Sequence, residues 1–359
     1  MHPSMVVITV LIGMLVVFMA EPYFSKKLKL GGFISRDVYK RGEVYLPSKG
    51  GLLILFGGLM AIIAMILSFR ITNFFFEGTP YPSGLTQLDE AILYTALIFA
   101  FYGVLDDYMD VGRMSKLLLP VLFSYPIVTS LVFYENFIAF PFFGSLNVAR
   151  DVISFGSFGL NLSQIIRFAV VPLYIMVVAN LVNMHSGFNG LQSGLSLIVL
   201  LSLLVKAILD GDVADILVPA AITGGLAGFW WYNRYPARLF EGNTGSLVVG
   251  ATIGGLIVTQ GYYVVGFVML IPHTVNFLMY AYWRAKRKMK LKRDEKLGEY
   301  HHTIKFGRVR EDGTLEVPNR LTLKWVIPYH WRVTEKQVVL HMYALTGLFC
   351  IIGVLLPAY

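Results

Sequence analysis

Residues 101–110 read Phe-Tyr-Gly-Val-Leu-Asp-Asp-Tyr-Met-Asp, and they end an apolar run of roughly membrane length that starts near Leu88. The adjacent acids Asp106 and Asp107 close the run, and Asp110 follows three residues later. Carboxylates at a membrane boundary are costly unless they are hydrated, paired or bound to a cation. We therefore take this stretch as the end of a membrane helix that carries a polar site.

The bases that follow these acids suit a phosphate group. Arg113 comes after the acids, and Lys116 opens the next apolar run. Acids that hold Mg²⁺ or Mn²⁺, together with a Lys that meets phosphate, are typical of phosphoryl transfer. An ordinary polar loop end would look the same, so the placement of the other polar loops has to decide between the two.

The composition indicates a polytopic membrane protein. The chain has 359 residues, of which 56% are apolar and 14% charged, with a mean hydropathy of +0.64. Cys350 is its one cysteine, so no disulfide forms within the chain. The net charge of +8 is attributed to basic cytoplasmic loops and not to nucleic-acid binding. The first apolar run has no basic start and no cleavage site, so a retained helix is predicted.

Ten apolar segments are candidates to cross a bilayer, which takes about 20 helical residues, and the weakest are 193–209, which carries Lys206, and the short, Gly-rich 246–260. The predicted fold is therefore an all-α polytopic membrane protein, one transmembrane catalytic domain over residues 1–359. The ten segments are 4–21, 49–69, 87–105, 116–134, 164–183, 193–209, 214–232, 246–260, 262–283 and 337–356.

Basic residues concentrate in alternate loops. The loop at 284–336 holds fifteen of the thirty Lys and Arg residues against seven acids, and the loop at 22–48 holds six more. Because Lys and Arg favour the cytoplasmic side, both loops are predicted to be cytoplasmic and both termini to be outside. The polar loops at 106–115, 184–192 and 233–245 then fall on that same side. Within 284–336, residues 307–317 predict a β-hairpin that turns at Asp312-Gly313.

The loop at 184–192 combines Gly with amide side chains. Asn180, Asn183, His185 and Asn189 lie within residues 180–194, together with several Gly. A Gly-rich turn that leads into a helix can present backbone amides to phosphate, and Asn offers an oxygen to Mg²⁺. A helix cap followed by a turn is the alternative.

Two more polar segments belong to the same face. Residues 232–246 offer Arg for phosphate and Asn243 as an oxygen ligand, although they could simply end one helix and start another. In 284–336, His301, His302 and Lys305 could bind an anion or could form a charged loop surface. Metal binding by this pair of His is weakly supported, because no Cys is near. Together the segments predict a cytoplasm-facing pocket for a phosphate-bearing substrate.

From Asp37 to about Lys305, these segments resemble the polyprenyl-phosphate N-acetylhexosamine-1-phosphate transferases of glycosyltransferase family 4. Ser186 and Asn189 resemble its dolichyl-phosphate branch, and the short final loop resembles an archaeal member. The matching segments occur in the family's order. They are 37–40 with Pro47 and Gly51, 106–107 with 116–120, 183–194, 232–238 and 276–278.

The resemblance implies an enzyme that moves GlcNAc-1-phosphate from UDP-GlcNAc to a dolichyl or polyprenyl phosphate and releases UMP. It implies the first lipid-linked step of N-glycan or cell-envelope glycan assembly, on the cytoplasmic face of an archaeal cell membrane, or of the endoplasmic reticulum in a eukaryote. The lipid bilayer is a partner, nucleic acid is not, and a homodimer is left open.

Several alternatives remain at this point. A phosphate monoester is mostly dianionic at cytosolic pH, so direct attack on the donor is favoured over a covalent Asp intermediate. Another UDP-N-acetylhexosamine or an undecaprenyl-type acceptor is a second option. A transporter of anions or nucleotide sugars and a non-catalytic relative belong to other classes. Transporters place polar groups near the midplane, and these spans hold few ionisable residues.

The resemblance also implies roles for individual residues, with two departures. Asn243 stands where the family has a metal-binding Asp, and Ser48 stands where the dolichyl branch has Glu. Asp106, Asp107 and Lys116 would be catalytic, and Asp107, Asn189 and Asn243 would hold Mg²⁺ or Mn²⁺. The nucleotide sugar would contact Asn183, Gly190, Leu191, Arg238, His301, His302 and Lys305, and the lipid phosphate would contact Lys40, Arg113 and Lys116.

Overall fold

A computed structural model of the chain describes residues 2–76, 84–109, 111–112, 115–131, 137–140, 144–147, 152–155, 158–293, 296–300 and 306–357. The described residues are mostly helical. The helices are α1 Pro3–Leu30, α2 Leu52–Phe75, α3 Gln87–Met109, α4 Ser115–Phe123, α5 Tyr125–Ser130, α6 Leu162–Ile165, α7 Val171–Met184, α8 Leu191–Asp210, α9 Leu217–Asn233, α10 Gly242–Thr259, α11 Tyr263–Met269, α12 Ile271–Lys292, α13 Leu323–His330 and α14 Glu335–Leu355.

The strands pair into four antiparallel hairpins. A π-helical turn, Ile166–Val170, joins α6 to α7, and a 3-10 turn spans Gly298–Tyr300. The strands are β1 Ile34–Arg36, β2 Tyr45–Pro47, β3 Phe137–Phe140, β4 Gly144–Asn147, β5 Val152–Phe155, β6 Phe158–Asn161, β7 Arg308–Val309 and β8 Leu315–Glu316.

Seven helices in the described ranges are long and apolar enough to cross a membrane. They are α1, α2, α3, the continuous helix Leu162–Met184, α8, α10 and α14. An eighth span results if α11 and α12, which meet at a bend of 65°, are taken together. Two other predicted spans are shorter helices, α9 with 17 residues and the apolar stretch Leu118–Ser130. The helical membrane fold is thus confirmed, while the count of ten spans and the side of the termini stay predictions.

The centre of the bundle is α10, whose residues from Thr244 to Val258 are all buried. Small residues allow its neighbours to approach closely. A Cβ atom added at Gly250 would lie 2.6 Å from the Cα of Ala179 on α7. Helices in lipid associate through such close contacts, because lipid tails are as apolar as the helices themselves. The packing holds the first turn of α10 beside the polar ends of α3 and α7.

The predicted β-hairpin at 307–317 is confirmed. Val309 pairs with Leu315 in an antiparallel ladder, and Gly313 has a φ of +85° in the turn. Leu315 is fully buried with Trp325 of α13 and Val338 of α14, so the hairpin packs on the end of the bundle. The hairpins β1–β2, β3–β4 and β5–β6 were not predicted.

Candidate active site

Four separate parts of the chain meet in one buried ion network. The Nζ atom of Lys40 lies 2.7 Å from Glu335 Oε2 and 3.5 Å from Asp37 Oδ2. Asn189 donates its backbone N–H to Glu335 Oε1 (2.7 Å) and its side-chain amide to Asp37 Oδ2 (3.2 Å). Its Oδ1 accepts from the backbone N–H of Ala237 (2.9 Å). Because both carboxylates are nearly fully buried, they depend on these partners, and the network fixes three loops against α14.

Asp107, the second of the paired acids at the end of α3, contacts the first turn of α10. Asp107 Oδ1 accepts from the backbone N–H of Asn243 (2.8 Å). Its Oδ2 accepts from the N–H (3.2 Å) and the hydroxyl (2.9 Å) of Thr244. A carboxylate is favoured there, because the first N–H groups of a helix lack partners within the helix. Gly103 permits the approach, since a Cβ atom at this position would lie 2.5 Å from the Cα of Thr244.

A cavity of about 310 Å³ lies beside this contact. The hydroxyl of Ser246 donates to Asn183 Oδ1 (2.9 Å), which ties α10 to α7 at the cavity wall. Asn183, Asn189 and Asn243, which come from different loops, all line this cavity, and their predicted roles stay predictions. The lining comprises residues 35–39, Asn183, residues 186–189, Gln192, Asn233, Phe240, Glu241, Gly242, Asn243, Ser246 and Phe306.

Three of the predicted nucleotide-sugar residues lie away from this lining. Gly190 has a φ of +73° and precedes α8, and Leu191 is fully buried in the first turn of that helix. Arg238 lines a second cavity on the other side of the 234–241 turn. Lys40, predicted to hold the lipid phosphate, forms the ion network instead of standing free. Their predicted roles remain untested.

Several predicted residues lie outside the described ranges. They are Asp110, Arg113, His301, His302 and Lys305, together with the side chain of Lys116, whose backbone belongs to α4. The predicted contribution of 284–336 to the donor site is likewise untested at those positions. Phe306, the first described residue after them, does line the cavity.

Sequence reasoning missed two lysines. Lys324 is buried, and its Nζ donates to the backbone carbonyl of Ser186 (2.5 Å), at the edge of the cavity. Lys49 has a φ of +66°, and its Nζ lies over the ring of Tyr108 (3.8 Å) and that of Phe33 (4.7 Å). Lys49 lies between Pro47 and Gly51, two residues on which the resemblance rests, so its position was a usable signal.

Burial sets the charge state of several groups around the site. Burial lowers the pKa of Lys324 to about 8, although the negative charge of Glu335 opposes this shift. Burial also holds the pKa of His185 well below its usual range. Neither ring nitrogen of His185 has a partner among the described residues, and its ring lies 4.8 Å from that of His273. Burial also raises the pKa of Glu241 to about 8, and repulsion from Asp107 adds to this shift.

The oxygen donors fit a magnesium ion that is held largely by its substrate. Within the described ranges, no three His, Cys, Asp or Glu side chains are grouped as a metal cage. Mg²⁺ commonly needs only one or two carboxylates together with substrate phosphates. Asp107 retains acceptor capacity beyond the three hydrogen bonds that cap α10, and Asn243 lines the cavity. The Oδ1 of Asn189 already accepts from the N–H of Ala237, which leaves one lone pair of this oxygen for a metal.

Comparison with known proteins finds a family that is similar to part of the chain. Residues 90–261, from α3 to the end of α10, match the profile of glycosyl transferase family 4. The chain is similar to this family over that region. The matched region contains both the paired acids and the turn of α10 that Asp107 caps.

Several known proteins are similar over most of the chain. A Sulfolobus acidocaldarius protein, provisionally named UDP-N-acetylglucosamine–dolichyl-phosphate N-acetylglucosaminephosphotransferase, is 25% identical over 97% of this chain and 95% of its own length. A Saccharolobus solfataricus protein with the same provisional name is 26% identical over 98% and 96%. The phospho-N-acetylmuramoyl-pentapeptide-transferase of Streptococcus mutans is 26% identical over 86% and 90%.

Proposed function

We propose that this protein transfers GlcNAc-1-phosphate from UDP-GlcNAc to a dolichyl or related polyprenyl phosphate at the cytoplasmic face of an archaeal membrane. The contact between the α3 acids and the first turn of α10, beside a cavity lined by amide side chains, carries the proposal. The two archaeal relatives, similar over nearly their whole length, support the choice of donor and acceptor.

The proposed reaction is a direct displacement. An oxygen of the lipid phosphate attacks the sugar-bearing phosphorus of UDP-GlcNAc, and the bond from that phosphorus to the bridging oxygen breaks. UMP leaves with the bridging oxygen, and a new pyrophosphate joins lipid and sugar. A phosphate monoester with a second pKa near 6 is mostly dianionic at neutral pH, so it needs no strong base.

The chain's own residues orient the reactants. Three hydrogen bonds from α10 hold the carboxylate of Asp107, so its remaining acceptor site has a fixed position. Bound Mg²⁺ or Mn²⁺, held by Asp107 and Asn243, would offset charge on the departing phosphate. Asn183 and Asn243 line the cavity in which the donor would lie. Both acids end a membrane helix, at the level where a lipid phosphate is found.

Release of UMP from purified protein tests the proposal. The assay contains UDP-GlcNAc, a short polyprenyl phosphate and Mg²⁺, and each is omitted in turn. Asp107→Asn keeps an oxygen to cap α10 but removes the charge, so we expect UMP release to fall by at least about 100-fold, roughly 2.7 kcal/mol. Glu311→Gln, at an exposed acid of the β7–β8 hairpin, is the control and should keep full activity.

Other outcomes separate the alternatives. Release from a different UDP-sugar would keep the chemistry and change the donor. Release by Asn243→Asp but not by the wild type would identify a non-catalytic relative that lost its metal site. UMP release that is equally fast with and without the lipid phosphate would contradict the proposal.

A further inference from the structure

A second cavity, of about 600 Å³, lies on the opposite side of the 234–241 turn. It is formed by the end of α9, residues 234–238 and the first turns of α14, and it shares no lining residue with the 310 Å³ cavity. Among its lining are Trp230, Trp231, Arg234, Arg238 and Lys336. Among the described residues to which the sequence analysis gave a role, only Arg238 lines this cavity.

The second cavity carries three positive charges and no acid. Arg234, Arg238 and Lys336 line it, and none of the three forms an ion pair with a described carboxylate. Three uncompensated cations around one concave space attract an anion. Two guanidinium groups can each donate paired hydrogen bonds to phosphate oxygens, which a single point charge cannot do.

Aromatic rings hold the guanidinium groups in place. The guanidinium carbon of Arg234 lies 3.4 Å from the ring centroid of Trp231, and that of Arg238 lies 4.9 Å from that of Tyr232. Stacking on an aromatic face uses the plane of the guanidinium and leaves its N–H edges available. The cations are therefore ordered before a ligand arrives, which lowers the entropic cost of binding.

The rim of the second cavity is apolar and faces outward at the ends of membrane helices. Trp231 near the end of α9 is 42% exposed, and Leu340 near the start of α14 is 53% exposed. Trp and Tyr concentrate at the headgroup level of membranes, and basic pockets between transmembrane helices bind anionic headgroups. A soluble anion would use the charges but not this apolar rim.

The floor of the second cavity reaches the turn that precedes α8. Trp230 Nε1 donates to the hydroxyl of Tyr343 (3.0 Å), and that hydroxyl donates to the carbonyl of Gly190. The Cα of Arg234 packs against Gly190, where a Cβ atom would lie 2.8 Å away. A ligand in the second cavity would therefore also stabilise the turn that carries Asn189.

We infer that the second cavity binds the phosphate of an anionic membrane phospholipid, with the acyl chains lying over Trp231 and Leu340. This lipid is distinct from the acceptor, because the second cavity shares no lining residue with the cavity beside the α3 acids. The inference does not depend on the proposed transferase reaction.

Lipid binding to the full-length protein in neutral detergent tests the inference. Native mass spectrometry counts retained lipid after titration with phosphatidylglycerol or, as the neutral comparison, phosphatidylcholine. We expect preferential retention of phosphatidylglycerol and a rise in Tm with its concentration. The double variant Arg234→Gln/Lys336→Gln should bind it at least about tenfold more weakly. The control Arg284→Gln/Lys288→Gln, at exposed positions of α12, should bind like the wild type.

A charge-preserving variant and competition with soluble anions also test the inference. Arg234→Lys/Lys336→Arg preserves the charge and should retain most of the lipid, which separates charge loss from misfolding. Equal binding of phosphatidylglycerol by the wild type and by Arg234→Gln/Lys336→Gln would overturn the inference. Displacement of the lipid by inorganic phosphate or by UDP-GlcNAc would overturn it too, since the cavity would then belong to a soluble anion or to the donor.

Discussion

Lys49 combines backbone strain with a positive charge close to the α3 acids. Its φ of +66° is costly for a residue with a Cβ atom, by about 1–2 kcal/mol. Its Cα lies 3.1 Å from the position of a Cβ atom added at Gly242, which would itself be 2.9 Å from Asp107 Oδ2. Its ammonium group contacts the ring of Tyr108, the residue after Asp107. Strain that persists beside a candidate site points to a function for the side chain.

The variant Lys49→Gly separates the effect of the backbone strain from that of the positive charge. Gly adopts this backbone conformation freely, and the gain offsets the lost cation–π contacts, worth about 1 kcal/mol. We expect a Tm close to that of the wild type but a KM for the lipid phosphate raised about tenfold, because a phosphate-facing charge is lost. Lys49→Arg should retain the wild-type KM. Full activity of Lys49→Gly would show that the ammonium has no part in binding substrate.

The depressed pKa of Lys324 predicts a pH-dependent stability. Burial lowers this pKa from 10.5 to about 8, so the folded state binds fewer protons than the unfolded state between these values. The free energy of unfolding therefore rises with pH in that window, by at most about 1.4 kcal/mol per pH unit. Below pH 8, Lys324 is protonated in both the folded and the unfolded state, so it no longer makes the free energy of unfolding depend on pH.

Comparison with Lys324→Met isolates the effect of this one group. The Tm of the wild type relative to the variant should increase from pH 8 to 10.5 and should be constant below about pH 7.5. Thermal melting in detergent, at matched ionic strength, measures the difference. A Tm difference that stays flat across the window would mean that Lys324 is hydrated and titrates normally.

At the scale of elements, two glycines in helices form a matched pair. A Cβ atom at Gly250 of α10 would meet the Cα of Ala179 at 2.6 Å, whereas one at Gly347 of α14 would meet nothing within 4 Å. Gly→Ala raises helix propensity equally at both positions, so the difference between the two variants reports the clash alone. We expect Gly250→Ala to be less stable than Gly347→Ala by about 1–3 kcal/mol, measured as a lower Tm. Equal Tm values would mean that α7 and α10 can separate without cost.

Apolar length predicted where helices lie, because spanning a membrane requires a run that few other constraints produce. Turn chemistry predicted the β7–β8 hairpin, since Asp312-Gly313 specifies the turn. The strands between residues 137 and 161 were missed. Their aromatic and β-branched residues suit a strand, but the same residues are expected in a loop that touches the membrane interface.

Side-chain direction was not predictable from the order of the motifs. A motif shows that Asn189 and Arg238 belong to loops on one face, but it does not show which side of a turn each occupies. The oxygen of Asn189 satisfies Ala237, and Arg238 faces the second cavity. Both outcomes depend on Glu335 and α14, which lie about 100 to 150 residues further along the chain. Contacts over such separations leave no local pattern in the sequence.

At the scale of the whole molecule, the ion network joins distant segments of the chain. Lys40 before α2 and Glu335 at the start of α14 are in contact across 295 positions. Removing Lys40 would leave Asp37 and Glu335 buried without their shared cation, a loss that typically costs about 3–5 kcal/mol. The network is therefore a structural requirement for closing the bundle.

The alternation of basic and polar loops predicts the orientation of the molecule. If 284–336 is cytoplasmic, Glu311 on the β7–β8 hairpin faces inward, and Ala214 between α8 and α9 faces outward. We expect a membrane-impermeant maleimide to label Ala214→Cys on intact cells and Glu311→Cys only after lysis. The native Cys350 is buried and provides the background control. Labelling of Ser4→Cys from outside would agree with an even number of spans before the 210–216 loop, whereas labelling of Ser4→Cys only after lysis would require an odd number and would exclude the ten-span arrangement.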